Sequence, residues 1–246
     1  MTHETRNRAK IGVLVPFTNT NLEADLMLMR CRDTTLHFQR MGGYDVDEIP
    51  GSDQMAGLGA SDISHDLRMI SGVRPDVVLY GCTSATLTHG PSFDKQLALD
   101  IKAGSGALSI TAAGALVSAI KTLGVTKVGF SSPYLGEINR QAVDFLAQNQ
   151  VTTVKCADIG RNLGNYGQSE LTPDEVFELA RQADHPEAEA IVLSCTDMRA
   201  VEAIDRIEAA LGKPVVTSNQ ALMFALMRAL GLPRQGNTPG QLFDLL

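Results

Sequence analysis

The sequence predicts an α/β protein with two pseudo-symmetric lobes, each a parallel sheet flanked by helices, and a site in the cleft between them. Three observations predict it. Apolar, β-branched runs alternate with helix-period segments along the chain, the pattern of parallel α/β units. The run Val77-Val78-Leu79-Tyr80-Gly81 delivers Cys82-Thr83-Ser84, and Ala190-Ile191-Val192-Leu193-Ser194 delivers Cys195-Thr196-Asp197. Both runs therefore end in a thiol at the carboxyl edge, where open α/β sheets hold their chemistry. Two more pairs keep the same order, Ile11 to Phe17 with Val128 to Tyr134 and Leu108 to Leu116 with Val215 to Leu222, at offsets between 106 and 117 residues. A repeat of that length means a duplicated domain.

Strands are expected near 10–15, 35–40, 76–81, 107–110, 126–131, 151–156, 189–194 and 214–217. Pro75, Pro186 and Pro214 stand before or at strand starts, where a missing N–H is tolerated. Residues 111–123 and 218–230 read as helices that open on a small polar residue and close at Gly124 and Gly231. Thr172-Pro173-Asp174-Glu175 opens another, with Thr as cap and Pro in the first turn. Met41 to Ala60, rich in glycine and acidic residues, is expected to form a mobile loop before a helix at 62–72, placed to close over a cleft.

The chain has 246 residues and a net charge of −7, with no basic cluster, which argues against nucleic acid and anionic membranes as partners. Met1 to Lys10 is polar and unlike a secretory signal, and no run has the length of a membrane span, so a cytoplasmic location is expected. Cys31, Cys82, Cys156 and Cys195 are spread without disulfide or zinc spacing, and the five histidines show no ligand pattern. No GxGxxG follows a strand and no GxxxxGK[ST] is present, so neither a metal nor a nucleotide cofactor is expected.

A thiol at a strand-to-helix turn faces the amides of the following helix, which lowers its pKa toward the reactive thiolate. Cys82 and Cys195 fit that description, and lobes facing one another would set them on opposite sides of one cleft. Thr18-Asn19-Thr20-Asn21 follows the first strand at the same sheet edge, and Asn19 offers donors and an acceptor for a carboxylate. Tyr134 holds the equivalent place in the second half, and Asn162 sits in the loop after the strand ending near Cys156.

Together these residues resemble the aspartate/glutamate racemase superfamily, and within it the maleate cis-trans isomerases with the ectoine-utilisation racemase-like proteins and arylmalonate decarboxylases. The carriers are Val15-Pro16-Phe17-Thr18-Asn19-Thr20, Gly81-Cys82, Pro133-Tyr134, Arg161-Asn162-Leu163, Leu193-Ser194-Cys195 and Gly212 to Thr217. The resemblance implies lobes of 1–110 plus 219–246 and of 111–218, with the C-terminal helix exchanged, and a cofactor-independent enzyme working as a homo-oligomer. It implies Cys82 and Cys195 as catalytic residues, and Asn19, Tyr134, Asn162, Thr83, Ser84 and Thr196 as the substrate-binding set. Thr83-Ser84 after Cys82 looks more like the decarboxylases and ectoine-utilisation members, while two thiols favour isomerase or racemase chemistry. The leading expectation is maleate to fumarate, with Cys82 as nucleophile. The alternatives are a two-thiol racemase or epimerase of an amino acid or related acid, and a ligand-binding or redox-sensing member without activity.

Overall fold

The computed structural model describes residues 8–45, 48, 50–134 and 136–246. The polar residues 1–7 read above lie outside the described part. Strands β1 (Ala9–Pro16), β2 (Thr34–Met41), β3 (Val77–Tyr80) and β4 (Leu108–Thr111) form one sheet in the order β2-β1-β3-β4. Strands β5 (Lys127–Ser131), β6 (Thr152–Ala157), β7 (Ala190–Leu193) and β8 (Val215–Thr217) form a second in the order β6-β5-β7-β8. Every pairing is parallel, and the second order repeats the first, so the duplication legible in the chain is a duplication of topology.

The helices are α1 (Leu22–Leu28), α2 (Ser52–Ala60), α3 (Ser64–Ser71), α4 (Ser84–Leu87), α5 (Pro91–Ser105) and α6 (Ala112–Thr122) in the first half. The second half adds α7 (Gly136–Gln148), α8 (Gly167–Glu170), α9 (Pro173–Ala183), α10 (Ile204–Leu211) and α11 (Ser218–Leu230). Caps set their starts. The Thr172 hydroxyl accepts the Glu175 N–H while the Glu175 carboxylate accepts the Thr172 N–H, and Thr217 with Gln220 does the same for α11.

The inner strands β3 and β7 are buried on both faces, as continuous apolar runs demand in a covered parallel sheet. Ile11, Leu79 and Leu116 belong to the same core as Phe130, Val192 and Phe224, so the halves share one interior. Helix α11 lies along α6 and reaches α1 and the ends of β4 and β8.

The segment 41–60 departs from the expected loop, because α2 occupies its second half. Glycines at 57 and 59 weaken a helix, but two features offset them. The Gln54 side chain accepts the Gly51 N–H at 3.2 Å, and α2 lies so close to α4 that a Cβ at Gly59 would meet the Ala85 carbonyl oxygen at 2.2 Å. Residues 46, 47 and 49 of the segment lie outside the described residues.

Candidate active site

Both thiols stand where the inner strands end. Gly81 N–H donates to the Leu14 carbonyl at 2.9 Å, and Ser194 N–H donates to Ser131 at 2.9 Å, which turns the chain at equivalent places in the two sheets. Gly81 is required there, since a Cβ would fall 2.7 Å from the Leu14 carbonyl oxygen and 2.2 Å from Leu22 Cδ2.

Beyond that point the two turns differ. Cys82 enters α4, and the Ser84 and Ala85 amides face its sulfur, with Ser84 Oγ 3.7 Å away. No helix begins directly after Cys195. Its turn runs through Thr196 to Ala200, and the Asp197 N–H donates to Cys195 Sγ at 3.3 Å. The expectation of two helix-lowered thiols is corrected accordingly: burial is the largest influence and pushes both thiols up from their ordinary value. At Cys82 the amides and the Ser84 hydroxyl work against that rise. At Cys195 the Asp197 carboxylate adds to it, and the shift is large.

Tyr134 joins the two. The Cys195 thiol donates to its hydroxyl at 3.8 Å, and Ser84, whose Oγ lies 3.7 Å from Cys82 Sγ and donates to Met55 Sδ at 3.0 Å, neighbours the same hydroxyl, so two hydroxyls stand between the thiols. Its backbone is fixed from α7, where Asn139 Nδ2 donates to the Tyr134 carbonyl at 2.7 Å. Burial and both thiols hold the Tyr134 hydroxyl well above its ordinary pKa, so it stays protonated.

Asn19 lines the cavity, and its amide also ties the first turn of α1 to Thr196, which leaves one Nδ2 hydrogen for a ligand. Oδ1 accepts the N–H groups of Asn21 and Leu22, which opens α1, and Nδ2 donates to Thr196 Oγ1 at 3.0 Å. Thr196 lines the cavity too and donates to the Gly81 carbonyl at 2.9 Å, tying one cysteine turn to the other. Thr83 differs: its hydroxyl donates to Ser218 Oγ at 2.8 Å beneath the turn, and it does not line the cavity. The structure also leaves Asn162 apart. It is exposed, accepts the Gly164 N–H in a local turn at 2.9 Å, and borders an adjoining cleft that shares Pro50, Tyr134 and Gln168 with the cavity.

From that loop, Asn165 and Gln168 reach the cavity, and Asp197 completes the polar lining with Thr18 and Tyr44. None of these five was singled out in the sequence as a site residue. The segment 41–60 supplies the roof through Tyr44, Pro50, Met55 and Leu58. The second half holds it down: Asn165 Nδ2 donates to the Glu48 carbonyl, and Gln141 Nε2 donates to Ser52 Oγ at 2.7 Å. Under this roof the space open to water is about 30 Å³, close to that of one or two water molecules. A wider groove of about 590 Å³ lies between α3 and α5, but it contains neither cysteine. Among the described residues, no group of three or more His, Cys, Asp or Glu is placed to hold a metal ion.

Residues 60–243 match the arylmalonate decarboxylase family. The chain belongs to that family. A maleate isomerase of Geobacillus stearothermophilus is 27% identical over 253 residues, covering 96% of this chain and 97% of that one. The fold is that of the maleate isomerase Iso from Pseudomonas putida S16, at a TM-score of 0.86, 23% identity, and 96% and 98% coverage. It is equally that of the Nocardia farcinica maleate cis-trans isomerase, solved as a Cys-to-Ser variant with a covalently bound succinylcysteine intermediate, at 0.86, 23%, and 96% and 98%. These matches agree with the aspartate/glutamate racemase superfamily and its maleate isomerase group.

Proposed function

We propose that this chain isomerises maleate to fumarate without a cofactor, with Cys82 as the nucleophile and Cys195 as the group that handles the proton. The observation that carries the reading is that two buried thiols flank the Ser84 and Tyr134 hydroxyls, with Cys82 in the cavity lining and Cys195 donating to the Tyr134 hydroxyl that also lines it. Four maleate isomerases that match more than nine-tenths of this chain support it.

Once the Cys82 thiol has lost its proton to solvent, the thiolate forms a C–S bond to one alkene carbon, and the π pair moves onto the neighbouring carbon and its carboxylate. The Cys195 thiol donates its proton to that carbon, giving a succinyl thioether. The former double bond is now single and rotates. The Cys195 thiolate takes a proton back, the trans alkene re-forms, and Cys82 leaves as thiolate, so nothing is oxidised or reduced. Donors suited to the carboxylates and the enolate-like charge are Tyr134, Thr18, Asn165 and Gln168, with Asn19 and Thr196 fixing the wall behind them. Maleate exceeds the space beneath Pro50, Met55 and Leu58, so the segment 41–60 draws back to admit it.

The test follows maleate by proton NMR in deuterated buffer, with and without exhaustive chelation. Fumarate forming at the same rate in both supports the reading. Dependence on a divalent ion contradicts it, and Cα proton exchange on aspartate in place of fumarate formation moves the chain to the two-thiol racemase reading.

A further inference from the structure

Asp197 stands two residues after Cys195 and lines the cavity. Its Oδ1 is committed, accepting the backbone N–H groups of Thr20 at 2.9 Å and Asn21 at 3.0 Å. These two bonds fix the carboxylate across the interface between the halves. Its Oδ2 accepts no hydrogen bond from a described residue. The rest of the lining includes no lysine, arginine or histidine among the described residues. Among the described residues, Asp197 is therefore the one acidic side chain in a lining that holds no cation.

The charged and titratable groups around it leave that picture intact. Arg40, from β2, is the nearby cation, but its guanidinium is spent on the carbonyls of Pro16 and Asn19 and on Glu23. Cys82, after β3, and Tyr44, from the roof, feel the Asp197 charge, as does Cys195 on its own turn, and burial keeps all three protonated near neutrality. Burial also lifts the Asp197 carboxyl to about 7, with the Thr20 and Asn21 N–H groups and Arg40 pulling the other way. Between about pH 6 and pH 8 the charge that changes in this cavity is that of Asp197.

Two carboxylates cannot meet in a buried site with both ionised, and a pair in contact shares one proton. Resting on the dicarboxylate reading above, we infer that Asp197 is a specificity-determining residue that makes the site bind a dicarboxylate together with one proton, held between Asp197 Oδ2 and a carboxylate oxygen of the substrate. The proton comes from solvent on binding and returns to it on release, and no substrate bond is made or broken by it. A cis monoamide brings its own N–H donor to Oδ2 and needs no proton. Above about pH 7, affinity for the dianion falls roughly tenfold per pH unit, while affinity for the monoamide does not fall with it.

The test is isothermal calorimetry of maleate and of its monoamide binding to the full chain, at about pH 6 and about pH 8, in buffers of different ionisation enthalpy. The expected result at the higher pH is uptake of close to one proton per maleate and none per monoamide. Asp197→Asn keeps an oxygen for Thr20 and Asn21 and places an N–H₂ where Oδ2 was. It should abolish the uptake and bind maleate at least tenfold more tightly than the parent at the higher pH. Maleate binding equally at both pH values without uptake overturns the inference, and fumarate formation under those conditions would leave the isomerase reading standing. Proton uptake that the Asp197→Asn variant lacks, with no fumarate formed, keeps the role of Asp197 and removes the isomerase reading. The measurement on the parent chain stands whether or not the variant folds.

Discussion

The turn after β3 and the turn after β7 hold the same place in two copies of one topology, yet they offer sulfur different surroundings. At Cys82 a helical turn points the Ser84 and Ala85 amides at the thiol. At Cys195 the chain continues without a helix, one amide reaches the sulfur, and a carboxylate stands beside it. Duplication preserves where the thiols are, while the two or three residues after each decide which of them gives up its proton. Cys82 ionises the more readily and Cys195 holds its proton the more tightly, a difference that the proposed addition uses.

The most direct way to break the comparison is to remove each thiol. Cys82→Ala and Cys195→Ala should each lower turnover by about a thousandfold or more while far-UV circular dichroism stays unchanged. The intact Cys195→Ala chain exposed to maleate should gain a maleate-sized mass on the peptide carrying Cys82, and Cys82→Ala should gain none on Cys195. Adduct on Cys195 alone would reverse the roles. Tyr134→Phe removes the hydroxyl between the turns and should slow turnover about ten- to a hundredfold, the worth of one hydrogen bond to a charged group, about 1.5 to 3 kcal/mol. An unchanged rate would show that the thiols do not communicate through it.

Smaller effects separate the two turns as scaffolds. Gly81→Ala forces a methyl onto the Leu14 carbonyl and Leu22 and should cost roughly 1 to 3 kcal/mol in denaturant unfolding. Ser194→Ala, at the matching place, should cost little, because the buried Ser194 hydroxyl has no hydrogen-bond partner among the described residues. Equal losses would mean that both turns are equally tight.

An effect read only as a pH slope concerns Asp25, which is buried behind the Cys195 turn and accepts Asn219 Nδ2 at 2.7 Å, while the same Nδ2 donates to the Thr196 carbonyl at 3.0 Å. Burial raises the Asp25 carboxyl to about 7. Between the unfolded value of about 4 and that folded value the native state holds a proton the unfolded chain lacks, so this group's contribution to stability falls as pH rises across that window. Asp25→Asn should remove a loss of roughly 2 to 3 kcal/mol between about pH 5 and pH 8, read from unfolding midpoints. A slope identical to the parent's would show that Asp25 is ionised throughout.

The strands, the repeat and the two thiols were legible because each rests on local pattern: a buried parallel strand is an apolar run, and the duplication prints that run twice. What was hidden depends on tertiary placement. Asn162 and Asn165 lie in one loop with no side-chain period, so nothing in the chain says that the second faces the cavity and the first turns back on Gly164. Asp197 stands beside a cysteine that was singled out, but a carboxylate in a turn reads as solvated until the Thr20 and Asn21 amides of the other half are brought against it. Helix α2 was hidden by its glycines, whose cost is offset by a contact with α4 about thirty residues further on. Thr83 was misplaced for a related reason: the residue that takes its hydroxyl, Ser218, lies at the far end of the chain.

That distance has a consequence for how the protein comes into being. The first turn of α11 holds one cysteine turn through Ser218 and the other through Asn219. A ribosome synthesises this turn after both sheets, so a nascent chain that has reached Pro214 already displays both thiols without the residues that bind their turns together. Until α11 docks, Cys82 and Cys195 are ordinary cysteines on separate halves. One of the last helices to emerge is therefore the one that binds the two cysteine turns together.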